Sequence, residues 1–310
     1  MGILGRRLEL LKENYMFGTG HGPTWHVNIN PPTRKVKTYF EETVEAFEYI
    51  YHNKTGKFQV LYSGGLDSQY VCEVLLHLKM PFEAIIVYLI DNESNVLNHH
   101  DIIYAHEFCK IKKLDPIIYK FNFYNFVESG KNVEIAESVS CCAYGLPAWM
   151  HIASRLDGYS LLGHDPPYIR YKKDQNRWFL EELEFAHSLL RFYAKYKLNG
   201  CPFTLMYTSE MMLSFLLDST IIKLGQNQIP GKEGSNSSKS YVFNHGSNFN
   251  MPVYDYVKKT RIKQNGFEKL PELELWNHPN MKIFQEYQKK WNGVYYEPYH
   301  DVVKRLSVNQ

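Results

Sequence analysis

The stretch Phe58-Gln-Val-Leu-Tyr62-Ser63-Gly64-Gly65-Leu66-Asp67-Ser68 decides how this chain of 310 residues is read. Phe58 to Tyr62 is short and β-prone, and it ends at Ser-Gly-Gly. Apolar residues then recur at 66, 70, 71, 74, 75 and 78, the spacing of a helix. The prediction is strand, tight turn, helix. In a parallel sheet such a turn lies at the carboxyl edge, where ligands bind. Two glycines let the backbone turn sharply and come close to an oxygen-rich ligand. Amides at the start of the next helix point outward, with the positive end of the helix dipole behind them. The Ser63 and Ser68 hydroxyls add donors. A serine-capped glycine turn explains Gly64-Gly65 alone, but the full hexapeptide in this context predicts a phosphate cradle made of Ser63, Gly64, Gly65, Leu66, Asp67 and Ser68. It is not a Walker loop, because none of the pairs Gly56-Lys57, Gly130-Lys131 and Gly231-Lys232 continues to Ser or Thr. A carboxylate in the cradle repels phosphates unless a cation lies between, so Asp67 implies a divalent ion, most simply Mg²⁺.

Outward from this stretch, strands and helices alternate. Ala84 to Leu89 reads as a strand covered on both faces. Ile102 to Ile111 reads as a helix, Ile117 to Phe121 as a strand, 143–156 as a helix, and Tyr159 to Leu162 as a strand ending at Gly163. This order predicts an α/β fold with a doubly wound parallel sheet. Beyond about residue 175 the pattern turns mainly helical, with Trp178 to Tyr196 and Glu210 to Leu224 as helices and Gly225 to Ser240 as a polar loop or lid. The expected organisation is an N-terminal extension over 1–56, a nucleotide-binding core over 57–175 and a helical substrate or lid region over 176–310. Within the extension, Glu41 to Tyr51 has helical spacing and Phe17 to Thr33 reads as loop.

Composition narrows the function classes. Apolar residues make up 44% and charged residues 22%, enough to bury a core and too little charge for wholesale disorder. Lys and Arg total 35 against 33 Asp and Glu, a net charge of +2, which argues against a protein working mainly by holding nucleic acid. Five cysteines without a CxxC pair read as free thiols in a reducing cytosol. No apolar run approaches a membrane span, and Arg6-Arg7 stand where a signal peptide needs its apolar core. The expectation is a cytoplasmic protein, in the host cytoplasm if it is viral.

Ser-Gly-Gly-x-Asp-Ser resembles the PP-loop signature of the N-type ATP pyrophosphatases, a superfamily that includes the synthetase domains of asparagine, GMP, NAD and argininosuccinate synthetases and several tRNA-modifying enzymes. PAPS reductases carry a close variant. The resemblance covers roughly 57–270 as a pattern and is specific only over the hexapeptide. It implies a HUP-type sheet of about five strands, with the β,γ-phosphates of ATP in the loop. A substrate oxygen attacks the α-phosphorus, pyrophosphate leaves, and a nucleophile takes the adenylated intermediate. Tyr159-Ser-Leu-Leu-Gly163-His-Asp165 resembles the second active-site segment of the asparagine synthetase group. There Asp165 shares the metal or positions the substrate; a plain loop acid before Pro166-Pro167 is the equal alternative. Arg261-Ile-Lys263-Gln-Asn-Gly-Phe267 resembles a late stretch whose lysine faces pyrophosphate, with spacing one residue longer than in that group; otherwise Lys263 belongs to an exposed basic segment. The resemblance also places adenine beside Tyr88 to Asn92, read largely by backbone groups.

The first function is therefore ATP-dependent adenylation of a carboxyl, amide or carbonyl oxygen of a small molecule, with ATP and Mg²⁺. A glutaminase domain has no room before residue 57, and Gly2 stands where it would need cysteine. Ammonia or another nucleophile then comes from solution or from a separate protein. Three alternatives stand behind it. A PAPS reductase-like enzyme normally needs a late cysteine, and none follows Cys201. tRNA thiolation would have only Cys141 and Cys142. A nucleotide-binding protein without turnover is the fourth reading. The acceptor substrate and the oligomeric state are not legible.

Overall fold

The computed structural model describes residues 6–10, 25–164, 166–183, 187–226, 238–252, 267, 270–290 and 294–310, and the account below concerns these. Strands β1 (Arg6–Leu10) and β2 (Trp25–Ile29) form an antiparallel pair. Helix α1 (Tyr39–Asn53) begins at Thr38, whose hydroxyl accepts from Glu41 N while the Glu41 carboxylate accepts from Thr38 N. This reciprocal cap satisfies two of the amides that a helix start leaves open. Phe47 and Ile50 of α1 are buried in the common core, so the helical part of the N-terminal region packs as part of the α/β body.

The central unit follows in the expected order. It contains β3 (Phe58–Leu61), α2 (Leu66–His77), β4 (Phe82–Ile90), α3 (His99–Lys112) and β5 (Ile117–Asn122). Helices α4 (Phe123–Glu128), α5 (Lys131–Ser138) and α6 (Leu146–Ala153) lead to β6 (Tyr159–Leu162). Strands β7 (Tyr168–Lys172) and β8 (Arg177–Leu183) and helix α7 (Ser188–Tyr196) precede β9 (Gly200–Cys201). The main sheet has the order β5-β4-β3-β6-β9, with every neighbouring pair parallel. Helices flank this sheet, as an α/β doubly wound arrangement requires. The chain steps from β3 outward to β5, then returns across β3 to β6. The topological switch point therefore lies between β3 and β6, where open α/β sheets form their ligand crevice.

The remaining elements are α8 (Ser209–Leu216), α9 (Ser219–Gly225), α10 (Lys239–Asn244), α11 (Pro279–Lys290), β10 (Val294–Pro298) and α12 (Tyr299–Leu306). Three sequence expectations are corrected here. Trp25–Ile29 is strand β2, inside the stretch Phe17 to Thr33 read as loop. Trp178 to Leu183 is strand rather than helix, and β8 and β10, both in the region expected to be mainly helical, join β7 in an antiparallel sheet of order β10-β8-β7. Trp178, Phe179, Leu180, Glu181 and Glu182 are all buried, so no alternation marks the strand, and a short run of this kind does not reveal its period. The stretch 210–224 is two helices, because Asp218 accepts from Thr220 N and caps α9 instead of continuing α8. Of the loop expected over 225–240, residues 227–237 lie outside the described residues.

The C-terminal helix and the residues after it close on the end of β2 and the segment that follows it. Arg305 of α12 donates to Ile29 O, and Asn309 and Gln310 donate to Pro32 O and Arg34 O. Among the described residues, no helix is long and apolar enough to cross a membrane.

Candidate functional site

Ser63 leaves β3 where the strand order reverses. Gly64 has φ +77°, a left-handed conformation that favours glycine, and it lies hard against α3. A Cβ there would stand 2.7 Å from Ala105 N and 3.0 Å from Asp101 O. Gly163, just past β6, approaches the other side of the turn, where an added Cβ would lie 2.5 Å from both N and Cα of Ser68. The turn is thus held between α3 and the end of β6, and both glycines are needed for that closeness.

Gly65 is the N-cap of α2 and supplies no side-chain cap, and the first intrahelical bond is Gln69 N to Gly65 O. Leu66, Asp67 and Ser68 are therefore the first-turn residues, whose amides a helix cannot satisfy internally. The serines have turned inward. The Ser63 and Ser68 Oγ atoms are 3.2 Å apart, and Ser68 Oγ also lies within hydrogen-bonding distance of Gly65 O. Ser68 is buried, so its hydroxyl serves the shape of the turn.

The carboxylate of Asp67 meets a residue that sequence reasoning did not single out. Lys239 Nζ donates to Asp67 Oδ2 at 2.6 Å, with the two side chains only 11% and 16% exposed. Lys239 opens α10, and α10 is fixed to α2 through rings. Phe243 stacks on Tyr70 with centroids 4.2 Å apart and planes 9° from parallel, and on Tyr39 at 6.0 Å. Phe243 and Val242 are fully buried. Burial drives the Tyr39 and Tyr70 phenols well above the ordinary tyrosine range, so both stay neutral beside the ion pair. A lone Lys in a polar stretch, 172 residues from its partner, carries no sequence signal of this role.

Asp165 and Lys263 lie outside the described residues. Gly163 is brought to the turn, as its contact with Ser68 establishes. Tyr88 is on β4, where its hydroxyl pairs with His106 Nε2 at 2.6 Å. The backbone beside it is already engaged. β3 ends at Leu61 while β4 runs on to Ile90, leaving an edge of β4 without a strand neighbour. Asn98 fills that edge: its Nδ2 donates to Val87 O and its Oδ1 accepts from Leu89 N, both at 2.9 Å. Leu97 N adds a bond to Leu89 O at 2.7 Å. Reading a base through these groups would require Asn98 to yield.

No protein-family model matches this chain, and no curated protein matches it. Its site is therefore read on geometry.

A cleft of about 560 Å³ opens at the carboxyl ends of β4 and β5, away from the turn. Asp91, Glu93, Glu128 and Glu274 line it, an acidic wall that repels polyphosphate. The start of α2 carries no side-chain cap and meets Lys239 instead. Oδ2 of Asp67 holds an ammonium, and no group of three or more His, Cys, Asp or Glu gathers among the described residues as a metal cage. The five cysteines are buried. Burial pushes the Cys109 thiol up to about 11 and that of Cys201 to about 12, far from reactive thiolates.

Proposed function

We propose that the protein is an ATP-dependent adenylating enzyme acting on a small molecule. The outer phosphates of ATP dock on the first turn of α2, at the switch point between β3 and β6. The single observation that carries the reading is that the Ser63–Ser68 turn stands at this point with its helix start uncapped by a side chain and a cation, Lys239, delivered to it from α10.

The chemistry follows from charge. A carboxyl, amide or carbonyl oxygen of the substrate donates an electron pair to the α-phosphorus. The bond from that phosphorus to the bridging oxygen breaks, and its pair leaves on pyrophosphate. Negative charge grows on the leaving group, where the amides of α2 and the Lys239 ammonium stabilise it without reorganising. Ammonia or another nucleophile, from solution or a separate protein, then displaces AMP. Mg²⁺ carried on the nucleotide would add countercharge; no step above is routed through it.

A second reading, a nucleotide-binding protein without turnover, has its own support in the β4 edge closed by Asn98. Thiolation draws no support from Cys141 and Cys142, which are fully buried. Exchange of labelled pyrophosphate into ATP, run across sets of small acids and amides, tests the proposal. Exchange with AMP formation supports adenylation. Calorimetric ATP binding with no AMP under every set supports the second reading.

A further inference from the structure

The main sheet finishes its two edges differently. At one edge, β9 is two residues long and Cys201 is buried. A short, covered strand is one of the ways a sheet edge is kept from pairing with other chains. At the other edge, β5 runs six residues and has β4 as its one strand neighbour among the described residues. Such a strand presents a row of peptide N–H and C=O groups on its outer side. The side chains beside that row are apolar and open. Ile117 is 43% exposed and Ile118 39%, and Ile111, near the end of α3 on the approach to β5, is 75% exposed. Positive charge accompanies them. From Lys110 to Asn122 the chain carries four lysines and one acid, Asp115. Lys112 is paired with Glu73 at 2.8 Å. Lys110, Lys113 and Lys120 are exposed, and among the described residues no carboxylate pairs with them. Side chains alternate along a strand, so Ile118 and Lys120 share one face of β5.

We propose that the outer edge of β5 docks an extended acidic segment of another protein, which adds to the main sheet as a sixth strand. Three features select this partner together. The open edge calls for a peptide backbone, the isoleucines call for apolar side chains at alternate positions, and the lysines call for Asp or Glu among them. A lipid surface would meet the lysines but leave the peptide groups of the strand unanswered. A second copy of this chain would bring the same lysines against these, and like charges facing each other across strands oppose pairing. β5 stands two strands away from β3 and its turn, so the inference is independent of what binds there.

The probe is a short capped peptide alternating valine and glutamate, titrated into the ¹⁵N-labelled full chain and followed through backbone amide resonances. A valine–lysine counterpart and a version with a central proline serve as controls. The amides of Ile117 to Phe121 are expected to shift with the acidic peptide. The central proline removes a ladder donor and should abolish the shift. The double variant Lys113→Glu, Lys120→Glu should bind the acidic peptide about tenfold more weakly and the lysine peptide more tightly. Raising the salt concentration on the parent protein should weaken binding of the acidic peptide, which gives the same decision if the variant fails to fold. An acidic peptide that leaves β5 unshifted, or that binds no better than its lysine counterpart, overturns the proposal. A dimer in sedimentation velocity that Ile118→Lys separates gives the edge to a second copy and overturns it likewise. Phosphatidylserine vesicles that bind the parent but not the double variant, while the peptide leaves β5 unshifted, give the edge to a lipid surface instead.

Discussion

The turn after β3 and the free edge of β4 lie side by side at the carboxyl end of one sheet, yet they are built on opposite principles. At the turn, two glycines press the backbone between α3 and β6, and the start of α2 is left without a side-chain cap. At the β4 edge, Asn98 and Leu97 take up the exposed strand groups one by one. Both regions face the same problem, since each exposes peptide polarity where a strand has ended, and buried polarity must be paired. The turn leaves its helix start without a side-chain cap and brings in a lysine. The edge pairs its groups internally. The difference teaches that strand ends at one edge of a sheet can be finished in two ways, one by an uncapped helix start beside a lysine and the other by side-chain pairing of its own peptide groups.

The sharpest way to break this comparison is at the glycines. Gly64→Ala places a side chain at a left-handed φ and 2.7 Å from a backbone nitrogen, and Gly163→Ala drives one into Ser68. Each should destabilise the protein by about 3 kcal/mol, strain and overpacking combined. A urea midpoint within error of the parent would show that the turn is not held as described. Asn98→Ala comes next. It leaves Val87 O and Leu89 N without their side-chain partner, with an expected loss of about 2 kcal/mol by the same assay and faster amide exchange at Leu89. An unchanged exchange rate there would mean the edge is not sealed by Asn98.

The smallest effect serves as a control remote from both regions. His151 packs beside Phe121 and Phe126, and burial, aided by the positive charges of Arg155 and Lys131, holds its pKa below the ordinary value. The folded state therefore binds a proton less readily than the unfolded chain. Its contribution is fully present above the ordinary histidine pKa of 6.5 and is lost as pH falls toward the lowered folded value. His151→Gln should flatten the stability profile over that window without altering ATP binding. A profile unchanged by the substitution would remove the assignment.

The strand–turn–helix after β3 was legible in the sequence because it is local. Strand, glycines and helix follow one another within Phe58 to Leu78, and adjacency in sequence is adjacency in space. The β4 edge was not legible, because it depends on β3 stopping five residues short of β4's end, which registers Leu61 against Ile85, and on an asparagine whose side chain imitates a strand. Lys239 was missed because its partner is distant in sequence and its anchor is the stacking of Phe243 on Tyr70 rather than any local spacing. β8 was misread for a related reason: its acids are buried against Arg170 and His187, erasing the polar face that marks a half-buried strand.

The most direct measurement is a titration of the ¹⁵N-labelled protein with ATP, followed through backbone amide resonances. The account predicts that Gly65, Leu66 and Ser68 shift as ATP is added while the Leu89 amide, held by Asn98, stays in place. Saturating ATP that moves Leu89 and leaves the first turn of α2 unshifted would contradict it.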